Sequence, residues 1–302
     1  MKKLIILLCI SFISFAQLKV VSSKVIVPER EAFYPLFDKT NSAIYYTTPN
    51  CVGIYKFDLK TEKSEVITNE AGAGYEFKIT DDNKIVYRCD TYKDGFKYST
   101  LKIKDLKSGE SKSLVENQRF VSPPEVPQKD YIVYNIEKSS KVYKISAKKL
   151  QKTLSSTYVM NEDLKIALYR NGQKKILKPV GDDHYIWVSL SPDKQKLLFT
   201  ASKKGTFITD LNGKILYEIG TAQAPKWSND GTKVLFMMQK DDGHRFTHSD
   251  LYYYDLKERK SYQLTFTDDV IELYPSWSYD DKQVVCNTEK GEIIIYQLEN
   301  SK

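Results

Sequence analysis

The stretch Leu264-Thr265, together with Tyr274-Pro275-Ser276-Trp277-Ser278-Tyr279-Asp280, decides the fold of this 302-residue chain. Leu264-Thr265 ends one predicted strand, and residues 274–277 form a short aromatic strand. Residues 278–282 predict a turn, because Ser and Asp side chains fold back onto the local backbone. Two more strands, residues 283–287 and 292–298, follow with a turn between them. The stretch therefore predicts the end of one small sheet and the start of the next.

The same unit recurs along the chain, which indicates a repeat architecture. Clear and degenerate copies cover residues 224–236, 188–199, 77–87, 34–45 and 124–134. Positions equivalent to Asp280 are Lys39, Asp82, Pro127, Asp193 and Asp230, and successive intervals run from 37 to 66 residues. A four-stranded propeller blade takes about 40–50 residues. We interpret the longest interval as one blade with an insertion, so the sequence predicts an all-β, six-bladed propeller of four-stranded antiparallel blades.

The long third blade is predicted to carry its insertion at residues 146–154, where Lys and Leu at helical spacing allow one or two helical turns. Its outer strands are predicted at residues 165–169 and 174–177, joined by an Asn171-Gly172 hairpin turn. Trp187, Trp227 and Trp277 stand at repeated positions, which favours packing between blades over stacking on a sugar.

The W-S-x-D-G turn, the hydrophobic strand after it and the closing L-T resemble the WD40-like (PD40) repeat of the TolB family of six-bladed propellers. The match is close over residues 185–296 and weaker over residues 33–180. Asp281 and Lys194 stand where the pattern has Gly. The resemblance implies a TolB-like periplasmic protein that engages envelope proteins or peptides.

Residues 1–16 are predicted to form a signal peptide, with Lys2-Lys3 as its basic head and a small-x-small cleavage site ending at Ala16. Spanning a bilayer takes about 20 apolar residues. The apolar run of the signal peptide is shorter than this, so we expect no membrane span. We expect a periplasmic or secreted protein with one propeller domain over residues 17–302.

The strand at residues 20–27 belongs to no repeat, and we predict that it completes the last blade and closes the ring, since an open sheet edge invites pairing.

Motifs for catalysis are absent from the sequence: there is no G-x-S-x-G elbow and no glycine-rich phosphate loop. His244 and His248 fall in a predicted loop without the Glu of a zinc protease, so a solvated loop is favoured over a metal site. The Asp-Gly pairs at residues 94–95 and 242–243 favour turns over calcium ligands. We therefore expect a protein that is not an enzyme and has no metal and no cofactor.

The net charge bears on nucleic-acid binding, and the number of cysteines bears on disulfide formation. The net charge is +7, and adjacent lysines occur only as isolated pairs, so no nucleic-acid track is predicted. Cleavage would leave Cys51, Cys89 and Cys286, an odd number that favours free thiols acting as small apolar side chains. We expect a monomer.

Two functions remain open at this point. The first is an exported, non-enzymatic scaffold that binds a protein or peptide of the envelope or the secreted fraction, since loops on a rigid scaffold collect binding residues. The alternative is a carbohydrate-active or carbohydrate-binding propeller, such as a lyase of pectin oligomers. The loops at residues 90–98 and 239–250 are longer than their four-residue counterparts and are predicted to form the rim of the partner site. The predicted contact residues are Tyr92, Asp94, Phe96, Asp242, His244, Arg245 and Phe246.

Overall fold

The computed structural model of the chain describes residues 17–152, 154–243 and 246–301. Regular structure in these ranges consists of strands and one short 3-10 turn, Pro49–Cys51. No helix in them is long and apolar enough to cross a membrane. The predicted signal peptide, residues 1–16, lies outside the described residues.

The strands group into seven antiparallel sheets, the blades. The first strand of the chain is β1 (Leu18–Ile26). Blade 1 contains β2 (Phe33–Phe37), β3 (Ala43–Thr48), β4 (Val52–Asp58) and β5 (Lys63–Thr68). Blade 2 contains β6 (Lys78–Ile79), β7 (Lys84–Lys93), β8 (Phe96–Asp105) and β9 (Ser111–Gln118). Blade 3 contains β10 (Glu125–Gln128), β11 (Tyr131–Ile136), β12 (Ser139–Lys144) and β13 (Lys149–Gln151).

The second half of the chain builds the other four blades. Blade 4 contains β14 (Tyr158–Glu162), β15 (Lys165–Arg170) and β16 (Gln173–Leu177). Blade 5 contains β17 (Tyr185–Leu190), β18 (Lys196–Ala201), β19 (Gly205–Asp210) and β20 (Ile215–Gly220). Blade 6 contains β21 (Gln223–Trp227), β22 (Lys233–Asp241), β23 (Phe246–Asp255) and β24 (Lys260–Gln263). Blade 7 contains β25 (Glu272–Trp277), β26 (Gln283–Thr288) and β27 (Ile293–Asn300), with β1 as its outer strand.

The prediction of six blades is wrong, because the long third interval holds two short blades. The residues predicted as a helical insertion, 146–154, instead include the end of the turn before β13, β13 itself and part of the connection that follows it. The strands predicted as the outer pair of the third blade are β15 and β16 of blade 4. The Asn171-Gly172 turn between them is confirmed, and both residues have the positive φ that a two-residue hairpin requires. Blade 4 has three strands in the described ranges, whereas the other six blades have four.

A repeated hydrogen-bond pattern explains the turns between first and second strands. Ser278 Oγ donates to Asp280 Oδ1 over 2.7 Å and accepts from the Gln283 N–H over 2.8 Å. The turns that begin at Ser228 and Thr80 repeat this pattern. The residue after the aspartate has positive φ in each case, and glycine adopts this conformation without strain. The Ser-x-Asp-Gly signature is therefore a turn that begins the second strand of a blade.

Seven hydrophobic clusters hold the molecule together, one between each pair of successive blades. The cluster between blades 7 and 1 joins Val285 and Ile293 to Ile44 and Tyr46, all of which are buried. Blade 1 therefore packs against blade 7 just as the other neighbours pack against each other. Trp277 is buried in the cluster between blades 6 and 7, so its predicted role in packing between blades is confirmed.

The remaining tryptophans and cysteines also follow the sequence analysis. Trp187 packs against the cluster between blades 6 and 7, and Trp227 packs against the cluster between blades 5 and 6. Cys51, Cys89 and Cys286 are free thiols, and the latter two are buried. Burial raises the pKa of Cys286 well above its ordinary value, which keeps this thiol neutral and unreactive.

Candidate functional site

The two faces of the ring differ in the connections that they carry. Each blade is a meander, so connections between its second and third strands emerge on the same face as connections between blades. This face is called the upper face, and the Ser-x-Asp turns lie on the opposite, lower face. The segments at residues 90–98 and 239–250, predicted as loops, are mostly strand. They form extended hairpins, β7–β8 and β22–β23, on the upper face.

The hairpin of blade 2 presents two of the predicted contact residues to solvent. Tyr92 is 73% exposed and Phe96 is 54% exposed. Asp94 and Gly95 form the tip, and both have positive φ, as a two-residue Asp-Gly hairpin turn requires. The arginine that follows β9, Arg119, lies 4.5 Å from the centre of the Phe96 ring. This cation–π contact favours one orientation of an exposed ring.

The base of this hairpin is fixed by a buried charge network. Asp90 accepts a 2.6 Å hydrogen bond from Ser99 Oγ and lies 3.6 Å from Arg88 Nε. Arg88 in turn donates from Nη1 to the Val121 carbonyl over 3.0 Å, which ties blade 2 to the segment that leads into blade 3. A Cβ at Gly72 would lie 2.7 Å from Asp90 Oδ2, so only glycine allows this approach. Asp90 therefore holds the base of the hairpin in place through these contacts.

Three tyrosines on or near the inner strands also lie on the upper face of the ring. The ring of Tyr75, 45% exposed, receives the Arg88 guanidinium at 5.5 Å. Tyr34, 40% exposed, contacts Tyr274 of blade 7 with ring centroids 4.3 Å apart. Burial and the hydrogen bond with Tyr274 raise the pKa of Tyr34, so the Tyr34 hydroxyl stays neutral. Tyr75 precedes the inner strand of blade 2, and Tyr34 and Tyr274 lie on the inner strands of blades 1 and 7, so these rings occupy three successive blades.

We name this region the aromatic surface. It consists of Tyr34, Tyr75, Arg88, Tyr92, Phe96, Tyr98, Arg119, Phe120 and Tyr274. All of these residues lie on upper-face connections, on the blade 2 hairpin or at the upper ends of inner strands. Tyr92 and Phe96 were predicted from the sequence as contact residues, and the other seven residues were not.

A repeated feature of the inner strands brings the missed tyrosines to this surface. Tyr34 and Tyr274 have positive φ, and the register of each inner strand shifts at these residues, which marks a bulge. Ala224 is a third case. Each of the three residues precedes a proline, so the recurring x-Pro pair in an inner strand was a signal available in the sequence.

The hairpin of blade 6 differs in character from that of blade 2. Phe246 is partly buried and packs against the cluster between blades 6 and 7. Asp242 is exposed and has an interaction partner. His244 and Arg245 lie outside the described residues. His248 lies on strand β23, and its Nε2 is 2.9 Å from Asp250 Oδ2.

Asp250 and Glu272 form a buried acidic pair below the connection between blades 6 and 7. Asp250 accepts hydrogen bonds from Gln263 Nε2 at 2.8 Å and from the Thr267 N–H at 3.0 Å. Thr265 and Tyr296 donate their hydroxyls to Glu272. Burial raises the pKa of Glu272 to about 7, the two hydroxyls lower it, and the charge of Asp250 raises it. Glu272 and Asp250 are both buried, so a substrate cannot reach them. Their hydrogen bonds stabilise the connection between blades 6 and 7.

Charged side chains from three inner strands share the central channel. Lys78 of blade 2 lies 2.9 Å from Glu125 of blade 3. Lys226 of blade 6 is exposed to solvent, yet surrounding protein and the charge of Lys78 lower its pKa. The inner strands of a propeller surround its central channel, so these side chains lie along the channel wall. Within the described ranges, no group of three His, Cys, Asp or Glu side chains could hold a metal ion.

Two shallow clefts lie away from the aromatic surface. A cleft of about 430 Å³ runs between blades 1 and 2 beside Lys56 and Glu65. A second, of about 480 Å³, lies between blades 6 and 7 beside Phe266, which is 77% exposed, and Tyr296. Both are open and polar in part, and neither brings together residues for a recognisable reaction.

No protein-family model and no curated protein matches the chain. Among solved structures, the Cps50 (Swd1) β-propeller domain of Myceliophteria thermophila matches 91% of this chain and 99% of its own. Its sequence is 11% identical and its TM-score is 0.59. An oligogalacturonate lyase in complex with manganese matches 91% of this chain and 79% of its own, with 14% identity and a TM-score of 0.50. At these identities the likeness shows the fold alone: the chain is a β-propeller. Membership of the TolB family stays a prediction.

Proposed function

We propose that this propeller is a non-enzymatic scaffold that binds a protein or peptide through the aromatic surface. The observation that carries the proposal is the exposure of Tyr92 and Phe96 on a braced hairpin, with Arg119 stacked on Phe96. Large exposed apolar side chains rimmed by polar groups mark interaction sites on soluble proteins. Tyr and Arg are also the residues that most often dominate binding energy at interfaces.

The rigidity of the surface supports the same proposal. Ordering a flexible side chain on binding costs about 0.5–1.5 kcal/mol. Arg119 contacts the rings of Phe96 and Tyr98, and Arg88 contacts that of Tyr75, so these rings are ordered before a partner arrives. A preorganised surface therefore retains more of its contact energy as affinity.

We also propose that the protein acts outside the cytoplasm. The signal peptide predicted at residues 1–16 would export the chain, so we propose a partner in the envelope or among secreted proteins. The periplasmic or secreted location rests on the sequence alone.

A carbohydrate-binding or carbohydrate-active propeller is the second candidate. The observation in its favour is the same pairing of an exposed ring with a cation, because the Phe96 ring can stack on a sugar while Arg119 binds its carboxylate. An oligogalacturonate lyase shares the fold, and an acidic oligosaccharide is therefore the sugar to test.

The experiment compares three forms of the mature chain, residues 17–302, as baits for an envelope extract. The forms are the wild type, the double variant Phe96→Ala/Arg119→Ala, and Tyr279→Ala, which removes a 42%-exposed ring on the lower face. Proteins lost only with the double variant are purified and titrated by calorimetry. We expect its Kd to be at least about tenfold weaker, since interface anchors contribute upward of 1–2 kcal/mol.

Two outcomes decide against the proposal. Equal Kd values for the double variant and the wild type would place the site elsewhere. Binding of a galacturonate oligomer that the double variant loses, with no protein bound in the same way, would favour the carbohydrate candidate.

A further inference from the structure

One position of the inner strands recurs around the ring. In the six blades other than blade 4, the residue at this position pairs with the third residue of the second strand, and that third residue packs into the cluster shared with the following blade. The repeated position therefore has the same orientation in each of these blades. Its occupants are Leu36, Lys78, Glu125, Ser189, Lys226 and Ser276.

This repeated position faces the central channel. Lys78 of blade 2 and Lys226 of blade 6 lie in blades that are not neighbours in the ring. Burial and the charge of Lys78 nevertheless lower the pKa of Lys226, so the two ammonium groups share the space that the inner strands enclose. Ser189 and Ser276 hold the same position in blades 5 and 7, and they therefore lie on the channel wall on either side of Lys226.

The side chains at this level of the channel carry one positive charge in excess. Lys78 forms an ion pair with Glu125 at 2.9 Å, so these two charges offset each other. Lys226 forms no ion pair within 4 Å and donates no side-chain hydrogen bond within residues 17–152, 154–243 and 246–301. Glu76 also acts on Lys226, but it is exposed and lies two residues before Lys78, nearer the upper face. An enclosed ammonium without a counter-ion is stabilised when an anion joins it.

Two hydroxyl groups on the strands beside Lys226 also lack partners. Ser189 and Ser276 are partly exposed, and neither hydroxyl hydrogen-bonds another residue in the described part of the chain. A serine hydroxyl can donate to an anion, and hydrogen bonds to charged groups are about twice as strong as those between neutral groups. One ammonium flanked by two hydroxyl donors on neighbouring strands is therefore suited to an oxyanion.

We propose that the channel binds a small oxyanion, the carboxylate or phosphate group of a ligand, between Ser189, Lys226 and Ser276. The site is confined to blades 5, 6 and 7, because blade 1 has the apolar Leu36 at this position and Lys78 of blade 2 is paired with Glu125. None of the three binding residues belongs to the aromatic surface, so the proposal stands independently of the proposed function.

Two probe anions, inorganic phosphate and acetate, test the site on the mature chain, residues 17–302, at constant ionic strength. An amine-reactive ester labels the lysines, and mass spectrometry gives the rate at each. A bound oxyanion pairs with the Lys226 ammonium, so we expect it to slow the labelling of Lys226 and to leave that of the exposed Lys19 unchanged. The concentration that halves the rate gives the Kd. Protection by phosphate, by acetate or by both supports the proposal and identifies the group that is bound.

Paired serine variants, checked for folding by a thermal melt, test the geometry. Ser189→Ala/Ser276→Ala removes both hydroxyls without altering the charge, and we expect a Kd about tenfold higher, as for the loss of one hydrogen bond to a charged group. The matched control, Ser23→Ala/Ser139→Ala, removes two exposed hydroxyls elsewhere and should keep the wild-type Kd. Calorimetry should show that Lys226→Gln no longer binds the anion. The absence of selective protection at Lys226 with both anions, or equal Kd values for the two double variants, would overturn the proposal.

Discussion

At the scale of single residues, Glu272 couples folding to pH. Its pKa of about 7 in the folded protein is above the ordinary value of 4.5, so the native state holds a proton that the unfolded chain has released between these values. The stability that this proton provides is present at low pH and is lost as pH rises from 4.5 through 7. For a fully buried group, a shift of this size corresponds to about 3 kcal/mol.

We predict that Glu272→Gln removes this dependence, because glutamine has a similar shape and carries no charge at any pH. Relative to the wild type, the variant should gain up to about 3 kcal/mol in the free energy of unfolding between pH 5 and pH 8. Urea denaturation at the two pH values measures the difference. Glu299→Gln, at an exposed position, is the control and should follow the wild type. Parallel curves for Glu272→Gln and the wild type would contradict the assignment.

At the scale of elements, β1 supports blade 7 from the far end of the chain. Its register with β27 runs from Leu18 opposite Asn300 to Ile26 opposite Ile293, with one bulge. Ile26 is buried in the cluster between blades 7 and 1, and Leu18 packs against the cluster between blades 6 and 7. β1 therefore pairs with β27 as the outer strand of blade 7, and it packs against the hydrophobic clusters on both sides of that blade.

We predict that deleting residues 17–28 lowers the melting temperature and causes self-association, because β27 becomes an exposed edge with unpaired backbone groups. Light scattering after size exclusion, with a thermal melt, measures both effects. The chain without residues 1–16 is the control and should remain a single species. A truncated protein that stays monomeric with an unchanged melting temperature would show that β1 is dispensable.

At the scale of the whole molecule, turns on the lower face link one blade to the next. Asp281 of blade 7 accepts from the Asn229 N–H at 2.8 Å and from the Asp230 N–H at 2.9 Å, both in blade 6. Asn41 of blade 1 accepts from the Tyr279 N–H at 2.8 Å, and Lys39 forms an ion pair with Asp81 of blade 2. These bonds join four successive blades at the lower mouth of the channel.

We predict that Asp281→Asn loosens the link between blades 6 and 7. Asparagine tolerates the positive φ of this position but presents one acceptor oxygen and no charge, so at least one hydrogen bond is lost. The free energy of unfolding should fall by about 1–2 kcal/mol, as expected for hydrogen bonds to a charged group. Chemical denaturation measures the change. Asp268→Asn, at an exposed position in a connection, should change it little, and an equal effect of both variants would refute the link.

The sequence by itself determined the local structure of this protein. The Ser-x-Asp turns, the Asn171-Gly172 hairpin and the packing of Trp277 all follow from side chains acting on nearby backbone or from apolar burial. These effects depend on a few neighbouring residues, so they leave a readable pattern.

Only the tertiary structure decided the number of blades and the composition of the aromatic surface. The first and second strands of blade 4 are joined by a two-residue turn at Asp163 and Leu164, both with positive φ, so this blade lacks the Ser-x-Asp pattern by which blades were counted. Tyr34 and Tyr274 lie at opposite ends of the chain and meet because blade 7 packs against blade 1. The x-Pro pairs mark the two bulges in the sequence, but the two rings meet only because blade 7 packs against blade 1, and no short stretch of sequence encodes that packing.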